Sequence, residues 1–501
     1  MTDEYIDLGI EQLDQENPTA ALKFFQAAYD LQPDNDEVLF YLGLTYHRLE
    51  NQEEALRFYR LSLAAEPESA ETWMNMGNCL DEMNRTEEAE EAYRTASNLD
   101  PENDDVYVEW GIFYYNQYRW EEALACFEQA LRINPHNEDA LWNQGDALVN
   151  LEHYDEALEV GEALTSRFPD RWQAWYNRAW CCEKLELFDQ VITAARQVIQ
   201  LCPDNEDGYE LLGNALLKKE KYDEALQAYD KALGLCPTYW SVWASKGLCL
   251  LNLERYEEAL PCFETALADV PDDYGWWNSR GVVLYRLGRD EEALECYRKA
   301  LDLCPDYVFA TSNMADVCQR RKEYAQAEQL YLKAYHLDPT GRRCDLFDAT
   351  WCMYLTQRYK EMVPHLLAIL PYAQADDLHV AYRLAMAYKS MHMYHEAIDY
   401  YTLDIETFPN DPGNNASWLN IASCEEHLKH YEKAESAWKK ALELHTDDDF
   451  RALCLYGLGM MCGKQKRYTE AVEYLQQSLA LDPDFDECRQ ALGKARRRLK
   501  P

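Results

Sequence analysis

Proline recurs in this chain at a fixed interval of 34 residues, and this interval constrains the fold more than any other feature. Two apolar stretches lie between consecutive prolines, and in 70–103 they follow the i, i+3, i+4, i+7 spacing of amphipathic helices. The proline ends the second helix, because it lacks an amide N–H and its ring clashes with the preceding turn. The pattern therefore predicts stacked helix hairpins that bury their apolar faces against one another. Ten prolines keep the interval: Pro33, Pro67, Pro101, Pro135, Pro169, Pro203, Pro237, Pro271, Pro305 and Pro339.

Small residues recur at two positions of the repeat when each repeat is numbered from 1 and the first begins at Thr2. Position 8, in the first helix, is glycine in eight of these ten repeats, and position 20, in the second helix, is alanine in nine. Glycine within a helix costs about 1 kcal/mol relative to alanine. A cost that recurs in this way indicates close packing of the two helices, and we expect the position-20 alanine to face the glycine. The glycines are Gly9, Gly43, Gly77, Gly111, Gly145, Gly213, Gly247 and Gly281.

One repeat carries residues by which the chain resembles a known family. These are Trp73, Gly77, Ala89, Tyr93, Ala96 and Pro101, which resemble the tetratricopeptide repeat, a unit of 34 residues. The resemblance implies an all-α fold, an α-solenoid in which stacked helix hairpins form a right-handed superhelix with the first helices on its concave face. It implies protein binding without specifying a partner, because such repeats serve many unrelated assemblies.

The repeats divide the chain into four parts. Ten repeats of 34 residues fill 2–341, and a degenerate repeat without its closing proline fills 342–377. Three further repeats with short insertions, one of them at 410–414, fill 378–485, and a capping helix fills 486–501. Within 138–205 large and small residues are exchanged. Position 24 is Gly161 and Ala195 where most repeats carry Phe or Tyr, and position 27 is Leu164 and Val198 where most repeats carry Ala. This exchange is either a repacking at constant volume or a local change of curvature.

The chain is strongly acidic, with 48 basic and 91 acidic residues and a net charge of −43. This charge opposes contact with nucleic-acid phosphates. Residues 2–171 carry 39 acidic and 10 basic residues, a balance of −29. Two interpretations of this excess remain open. Acidic pairs such as Glu87–Glu88 complement the positive N-termini of the second helices, or the negative charge of the N-terminal third attracts a basic partner. The last helix is basic, and it either covers the apolar end of the stack or docks an acidic partner.

Cysteine usage and hydropathy predict a cytoplasmic protein with no contact to a membrane. None of the 17 cysteines forms a C-x-x-C pair, and several share repeat positions, as expected of small buried residues. The N-terminus lacks the basic and apolar regions of a secretory signal, and no apolar run is long enough to span a bilayer. A reducing compartment suits this many unpaired thiols.

The sequence contains no phosphate-binding loop, nucleophile elbow or zinc-protease motif, so we predict neither an enzyme nor a cofactor. Four histidines lie at two neighbouring turns with a spacing that a metal could use: His392, His395, His427 and His430. No carboxylate clearly accompanies them, and we expect no metal there.

A row of amide and hydroxyl side chains occupies position 6 of the first helices. An asparagine at such a position can bond the backbone of an extended peptide through its amide donor and acceptor. The row resembles the asparagine ladder of the repeat region of O-linked N-acetylglucosamine transferase, although Glu109, Leu211 and other residues interrupt it. Alternatively, each side chain bonds within its own repeat. The candidate peptide-binding residues are Asn75, Asn143, Asn177, Ser245, Ser279, Asn313 and Asn420.

These features predict a non-catalytic scaffold or adaptor that binds a peptide segment or a partner protein on its concave face. The alternative is a regulatory or substrate-recruiting subunit of an enzyme whose catalytic chain is separate.

Overall fold

The computed structural model describes residues 1–411, 413–444 and 447–499. In these ranges every regular element is a helix, which confirms the predicted all-α fold. The chain divides by its internal contacts into two compact units, Met1–Leu253 and Glu254–Pro501. The predicted insertion at 410–414 and the predicted cap at 486–501 lie partly outside the described residues, because Pro412, Lys500 and Pro501 are not among them.

In the first unit, a first helix alternates with a second helix along the chain. The helices are α1 (Thr2–Asp14), α2 (Pro18–Leu31), α3 (Asp36–Arg48), α4 (Gln52–Ala65), α5 (Ala70–Glu82), α6 (Thr86–Leu99), α7 (Asp104–Asn116), α8 (Trp120–Ile133), α9 (Glu138–Asn150), α10 (Tyr154–Arg167), α11 (Trp172–Lys184), α12 (Phe188–Leu201), α13 (Glu206–Lys218), α14 (Tyr222–Leu235) and α15 (Trp240–Asn252).

The second unit continues the same alternation, with a short 3-10 helix at Leu370–Tyr372. Its α-helices are α16 (Tyr256–Asp269), α17 (Tyr274–Arg286), α18 (Asp290–Leu303), α19 (Val308–Arg320), α20 (Tyr324–Leu337), α21 (Arg343–Leu355), α22 (Tyr359–Ile369), α23 (Val380–Ser390), α24 (Tyr394–Thr407), α25 (Asn414–His427), α26 (Tyr431–Leu444), α27 (Asp448–Lys464), α28 (Tyr468–Leu481) and α29 (Asp486–Leu499).

Within each unit the helices pack in the order in which they follow along the chain. First helices of successive hairpins also touch, as α5 touches α7 and α17 touches α19. This arrangement confirms the predicted α-solenoid of stacked hairpins. It also places the first helices side by side, so that they form a shared face within each unit.

The turn that joins the two helices of a hairpin contains one residue in the left-handed conformation. Asn84 has φ 58° between α5 and α6, and Gly288 has φ 74° between α17 and α18. After Asn84, the amide of Arg85 donates to the carbonyl of Leu80 over 2.9 Å and closes the end of α5. Most of these turns use a residue with a side chain, which costs about 1–2 kcal/mol in this conformation.

In most repeats the atoms nearest to the recurring glycine belong to the aromatic ring at position 24 of the second helix, and not to the position-20 alanine that we expected. A Cβ on Gly213 would lie 2.4 Å from the ring of Tyr229, and one on Gly9 would lie 2.4 Å from the ring of Phe25. Real Cβ atoms essentially never lie within 3.0 Å of another heavy atom, so an alanine at Gly213 or Gly9 would force the ring to shift. The alanine is still fully buried, as Ala225 shows.

The first of the two repeats with exchanged residues, 138–171, packs differently. Gly145 faces Val160 instead of an aromatic ring, and a Cβ placed on it would keep a 3.4 Å distance. The glycine in the second helix, Gly161, lies against the neighbouring helix: its Cβ would be 3.3 Å from the Cα of Arg178 on α11. Loss of the large ring from α10 thus goes together with a close approach of the α11 backbone, which supports a repacking of this region.

The cysteines behave as packing residues. Cys126, Cys262 and Cys296, which share one repeat position, are buried, and no two cysteines of the described residues form a disulfide. Burial raises the pKa of Cys126 to about 12 and that of Cys296 to about 11, so these thiols stay protonated at neutral pH. Across the described residues, none of the helices combines the length and the apolar character that crossing a bilayer requires.

Candidate binding face

In the first unit, the predicted polar row lies on the face of the first helices. The side-chain amide of Asn75 donates to the carbonyl of Glu71 over 2.9 Å, and that of Asn143 donates to the carbonyl of Asp139 over 2.8 Å. Both bonds stay within one helix. Ser245 hydrogen-bonds Tyr229, and Asn177 is half-buried.

The predicted residues of the second unit also bond to nearby protein groups. Ser279 donates to the carbonyl of Gly275 over 2.9 Å, four residues earlier in the same helix. Asn313 donates to Oδ1 of Asn278 over 2.8 Å, which links α19 to α17. Asn420 donates to the carbonyl of Ala416 and accepts from Nζ of Lys389 over 2.7 Å. Four of the seven side chains thus bond a carbonyl of their own helix, as the second interpretation of the sequence proposes, while Ser245 and Asn313 bond to a neighbouring repeat.

A second set of polar side chains on the same face consists of carboxylates. We define the acidic row as Glu71 on α5, Asp105 and Glu109 on α7, and Asp146 on α9. Their side chains are exposed or half-exposed. The sequences of α5, α7 and α9 contain no lysine or arginine. Among the described residues, no member of the acidic row forms an ion pair.

The protein that surrounds the acidic row disfavours its negative charge. Partial desolvation by the surrounding protein raises the pKa of Glu71 and of Asp146 above their ordinary values of 4.5 and 3.8, although both side chains keep contact with solvent. For Asp105, burial and the neighbouring charges of Asp104 and Asp139 raise the pKa. For Glu109, burial raises the pKa against the hydrogen bond that Asn78 donates. A cationic group brought to this row would therefore meet carboxylates that lack a counter-charge.

Carboxylates at the starts of the second helices contrast with the acidic row. Arg85 donates to both carboxylate oxygens of Glu88 over 2.8 and 2.6 Å, and Arg289 makes the same two bonds to Glu292 over 2.7 and 2.6 Å. Arg119 pairs with Glu122 at 2.9 Å. Each of these glutamates already forms an ion pair with an arginine three residues earlier. This part of the acidic charge is therefore paired locally at the starts of the second helices.

Sequence analysis missed the acidic row and treated Glu109 only as an interruption of the asparagine row. The signal was nevertheless in the sequence. Arginine precedes Glu88, Glu122 and Glu292 by three residues, whereas no basic residue stands three or four positions from Glu109 or Asp146.

The second unit carries a further pair of half-buried carboxylates, Asp316 on α19 and Asp348 on α21. Burial raises the pKa of Asp348 to about 6, although the charge of Arg383 opposes the rise. Burial likewise raises the pKa of Asp316, whose Oδ1 accepts from the hydroxyl of Tyr331 over 2.6 Å. Arg383 donates to the carbonyl of Phe347 and lies over the ring of the same residue.

Of the four histidines at the turns, one pair lies close together, and protein groups already bond or stack on the others. The rings of His395 and His430 are 6.2 Å apart, and His427 stacks on Tyr394 at 4.7 Å. His430 bonds Glu425 through Nδ1 at 2.8 Å, and His392 bonds the hydroxyl of Tyr394 at 3.0 Å. In the part of the chain that the structure describes, no group of three or more metal-ligating side chains is placed to hold an ion.

The fold defines a helical repeat protein built from stacked hairpins. Models of the tetratricopeptide repeat match residues 6–70, 70–103, 115–181, 173–205, 207–239, 245–308 and 414–484. These ranges cover more than half of the sequence, and the chain belongs to the tetratricopeptide repeat family. Membership supports a protein-interaction scaffold in general.

Solved structures of this kind are similar to the chain at low identity. A chain of the APC/C hetero-tetramer Cut9–Hcn1 is 16% identical with a TM-score of 0.34, and the match covers 98% of this chain and 96% of that one. A tetratricopeptide repeat protein from Parabacteroides merdae is 20% identical with a TM-score of 0.35, over 50% of this chain and 98% of that one. PilF of Pseudomonas aeruginosa is 23% identical with a TM-score of 0.36, over 40% and 92%. No curated protein matches the sequence.

Proposed function

We propose that this protein is a non-catalytic scaffold whose first-helix face binds a segment of a partner protein, and that the segment bound by the acidic row is basic. One observation carries the proposal. Among the residues that the structure describes, the carboxylates of the acidic row have no cation partner, whereas Glu88, Glu122 and Glu292 at the helix starts each have an arginine.

The dimensions of the row suit an extended peptide. Neighbouring packed helices are about 8–10 Å apart, so the path from α5 across α7 to α9 is roughly 20 Å long. An extended chain advances about 3.3 Å per residue, and about six residues cover this distance. Arginine or lysine at every second residue would place its cations on one side of such a strand, facing the row.

The charge of the whole N-terminal third assists the encounter. Residues 2–171 carry a balance of −29, which raises the local concentration of a basic ligand and speeds its association at low ionic strength. Final affinity depends on the unpaired carboxylates, because they are the ones that gain a counter-charge on binding. Salt should weaken the interaction by screening.

A labelled peptide of alternating glycine and arginine, about eight residues long, tests the proposal when its binding is followed by fluorescence anisotropy. We expect the double variant Glu109→Gln, Asp146→Asn to weaken binding about tenfold, as the loss of two charge-assisted contacts implies. The matched control is Glu88→Gln, Glu122→Gln, which removes the same net charge from the helix starts.

The control should change the affinity by less than about twofold, since its carboxylates are already paired. A glycine–glutamate peptide of the same length should not bind. Equal losses of affinity in the two double variants would show that only overall charge matters and would overturn the assignment of the binding site to the acidic row.

A further inference from the structure

His379 lies between two carboxylates in the second unit. It immediately precedes α23, and its Nδ1 is 3.0 Å from Oδ1 of Asp404 near the end of α24. Its Nε2 is 3.0 Å from Oδ2 of Asp411, in the loop that leads from α24 to α25. Asp404 is only 2% exposed. The imidazole ring also packs on the ring of Phe408, with the ring centroids 4.3 Å apart.

The chemistry of the imidazole fixes which protonation state this geometry requires. A carboxylate accepts hydrogen bonds and does not donate them, and a neutral imidazole has one donor and one acceptor nitrogen. Both contacts are therefore hydrogen bonds only when both ring nitrogens carry a proton. In the neutral ring, one nitrogen lone pair would face a carboxylate, and the buried charge of Asp404 would lack its cation.

Hydrogen bonds of Asp404 and Asp411 connect the end of α24, the loop that follows it and the start of α25. Asp404 also accepts from the hydroxyl of Ser417, near the start of α25, over 3.3 Å. The amide of Asn414, the first residue of α25, donates to the carbonyl of Asp411 over 3.1 Å, and its side chain donates to the carbonyl of Phe408 over 2.6 Å. His379 thus ties the start of α23 to the end of α24 and to the loop that positions α25.

We propose that His379 acts as a proton-dependent clasp that holds the α24–α25 loop against the start of α23. When the imidazole is protonated, it donates to both carboxylates and the clasp is closed. When the proton leaves, at most one of the two hydrogen bonds remains. The contact with Asp411 is the one that opens, because it is the more exposed of the two and Asp404 keeps its bond to Ser417.

The charges around the imidazole decide the pH at which the clasp opens. Burial alone lowers the pKa of His379, but the hydrogen bonds and charges of Asp404 and Asp411 outweigh burial and raise the pKa above 6.5. Asp404 acts from α24 and Asp411 from the loop, while α25 contributes the Ser417 hydroxyl. The stabilisation is therefore fully present below pH 6.5 and is lost as the pH rises through the raised pKa.

The test uses the full chain with carbon-13 in its histidine rings, titrated by nuclear magnetic resonance. The His379 signal is assigned by its loss in His379→Gln. We expect its midpoint to lie above 6.5 and to move downward in Asp411→Asn. Asp411→Asn keeps the buried Asp404–His379 pair, so this variant should fold even if His379→Gln does not. If His379→Gln fails to fold, the His379 signal is instead identified as the one whose midpoint shifts in Asp411→Asn. Glu443→Gln, an exposed change on the nearby α26, is the control and should leave the midpoint in place.

Hydrogen exchange measured by mass spectrometry on peptides from 403–417 gives a second readout. Below the midpoint, this segment should exchange faster in Asp411→Asn than in the unchanged protein, and above the midpoint the two should converge. A His379 midpoint at or below 6.5, or a midpoint that Asp411→Asn leaves unchanged, would overturn the clasp. Equal exchange of the two proteins at all pH values would overturn it as well.

Discussion

The hydroxyl of Tyr229 donates to Oδ1 of Asn214 over 2.9 Å, and the ring of the same tyrosine lies on Gly213. The pair recurs four repeats earlier, where Tyr93 donates to Asn78 over 2.5 Å and its ring lies on Gly77. The hydrogen bond and the packing contact hold the ring from two sides. A ring held in this way cannot move aside for an added methyl group without losing its hydrogen bond.

Gly213→Ala should therefore destabilise the first unit. Overpacking against Tyr229 costs about 1–3 kcal/mol, and this outweighs the gain of about 1 kcal/mol in helix propensity. Thermal and urea unfolding of the full chain would measure the change. Gly145→Ala is the matched control, because its Cβ would sit at an ordinary 3.4 Å from Val160, and it should leave stability unchanged or raise it. The reverse order of the two variants would contradict the packing described here.

Binding of a basic peptide to the acidic row should depend on pH. The pKa of Glu109 and that of Asp146 are raised by partial desolvation, so these carboxylates take up protons at a higher pH than free side chains. We expect the affinity for the glycine–arginine peptide to fall on acidification before the pH reaches 4.5, the ordinary value for glutamate. Isothermal titration calorimetry between neutral pH and this value would detect the loss. An affinity that stays constant over this range would show that these carboxylates do not contact the peptide.

Asp348→Asn should stabilise the second unit at neutral pH. The pKa of Asp348 is raised by burial to about 6, so the native state holds this proton where the unfolded chain has released it. Stability contributed at this site therefore falls as the pH rises from about 4 to about 6. A rise of about 2 in the pKa corresponds to roughly 3 kcal/mol of stability. The measured gain should be smaller, because solvent stabilises the charge on the exposed part of the side chain. Urea unfolding should show a higher free energy of unfolding for Asp348→Asn than for the unchanged protein at pH 7, and no difference at pH 4.

The double variant Asn75→Ala, Asn143→Ala distinguishes the contribution of the asparagine row to peptide binding from that of the acidic row. The side-chain amide of each asparagine donates to a carbonyl four residues earlier in its own helix, so its loss should leave helicity intact. We expect this variant to weaken peptide binding less than Glu109→Gln, Asp146→Asn does. Circular dichroism would confirm the helicity, and anisotropy would rank the affinities. A larger loss in the asparagine variant would favour the predicted asparagine row over the acidic row.

The fold followed from the sequence because its determinants recur. The proline interval and the spacing of apolar residues depend only on local chain geometry, and each copy repeats the same signal. The partner of the recurring glycine was harder to predict, since it depends on which side chain of the second helix lies over the first. Helical periodicity permits both Ala225 and Tyr229 on the facing side, and only the three-dimensional structure shows that the ring covers Gly213.

The binding face was predicted only in part, for a similar reason. A recurring asparagine is visible in the sequence, but the carbonyl that it bonds within its own helix is not. The meaning of a carboxylate depends on its neighbours: Glu88 and Glu109 are the same residue type, yet one lies beside Arg85 and the other does not. His379 gave no signal at all, because Asp404 and Asp411 lie far from it along the chain and are brought to it by the hairpin.

The close approach at Gly161 has a consequence for anyone who would shorten, lengthen or recombine this array. Most hairpins in the first unit pair a glycine of the first helix with a ring of the second helix, and a designed consensus module would supply both. At the junction of α10 with α11 the backbone occupies the space that such a ring needs, so a standard module spliced in here would collide with Arg178. Chimeras should therefore be cut on either side of 138–205, and that block should be transferred whole.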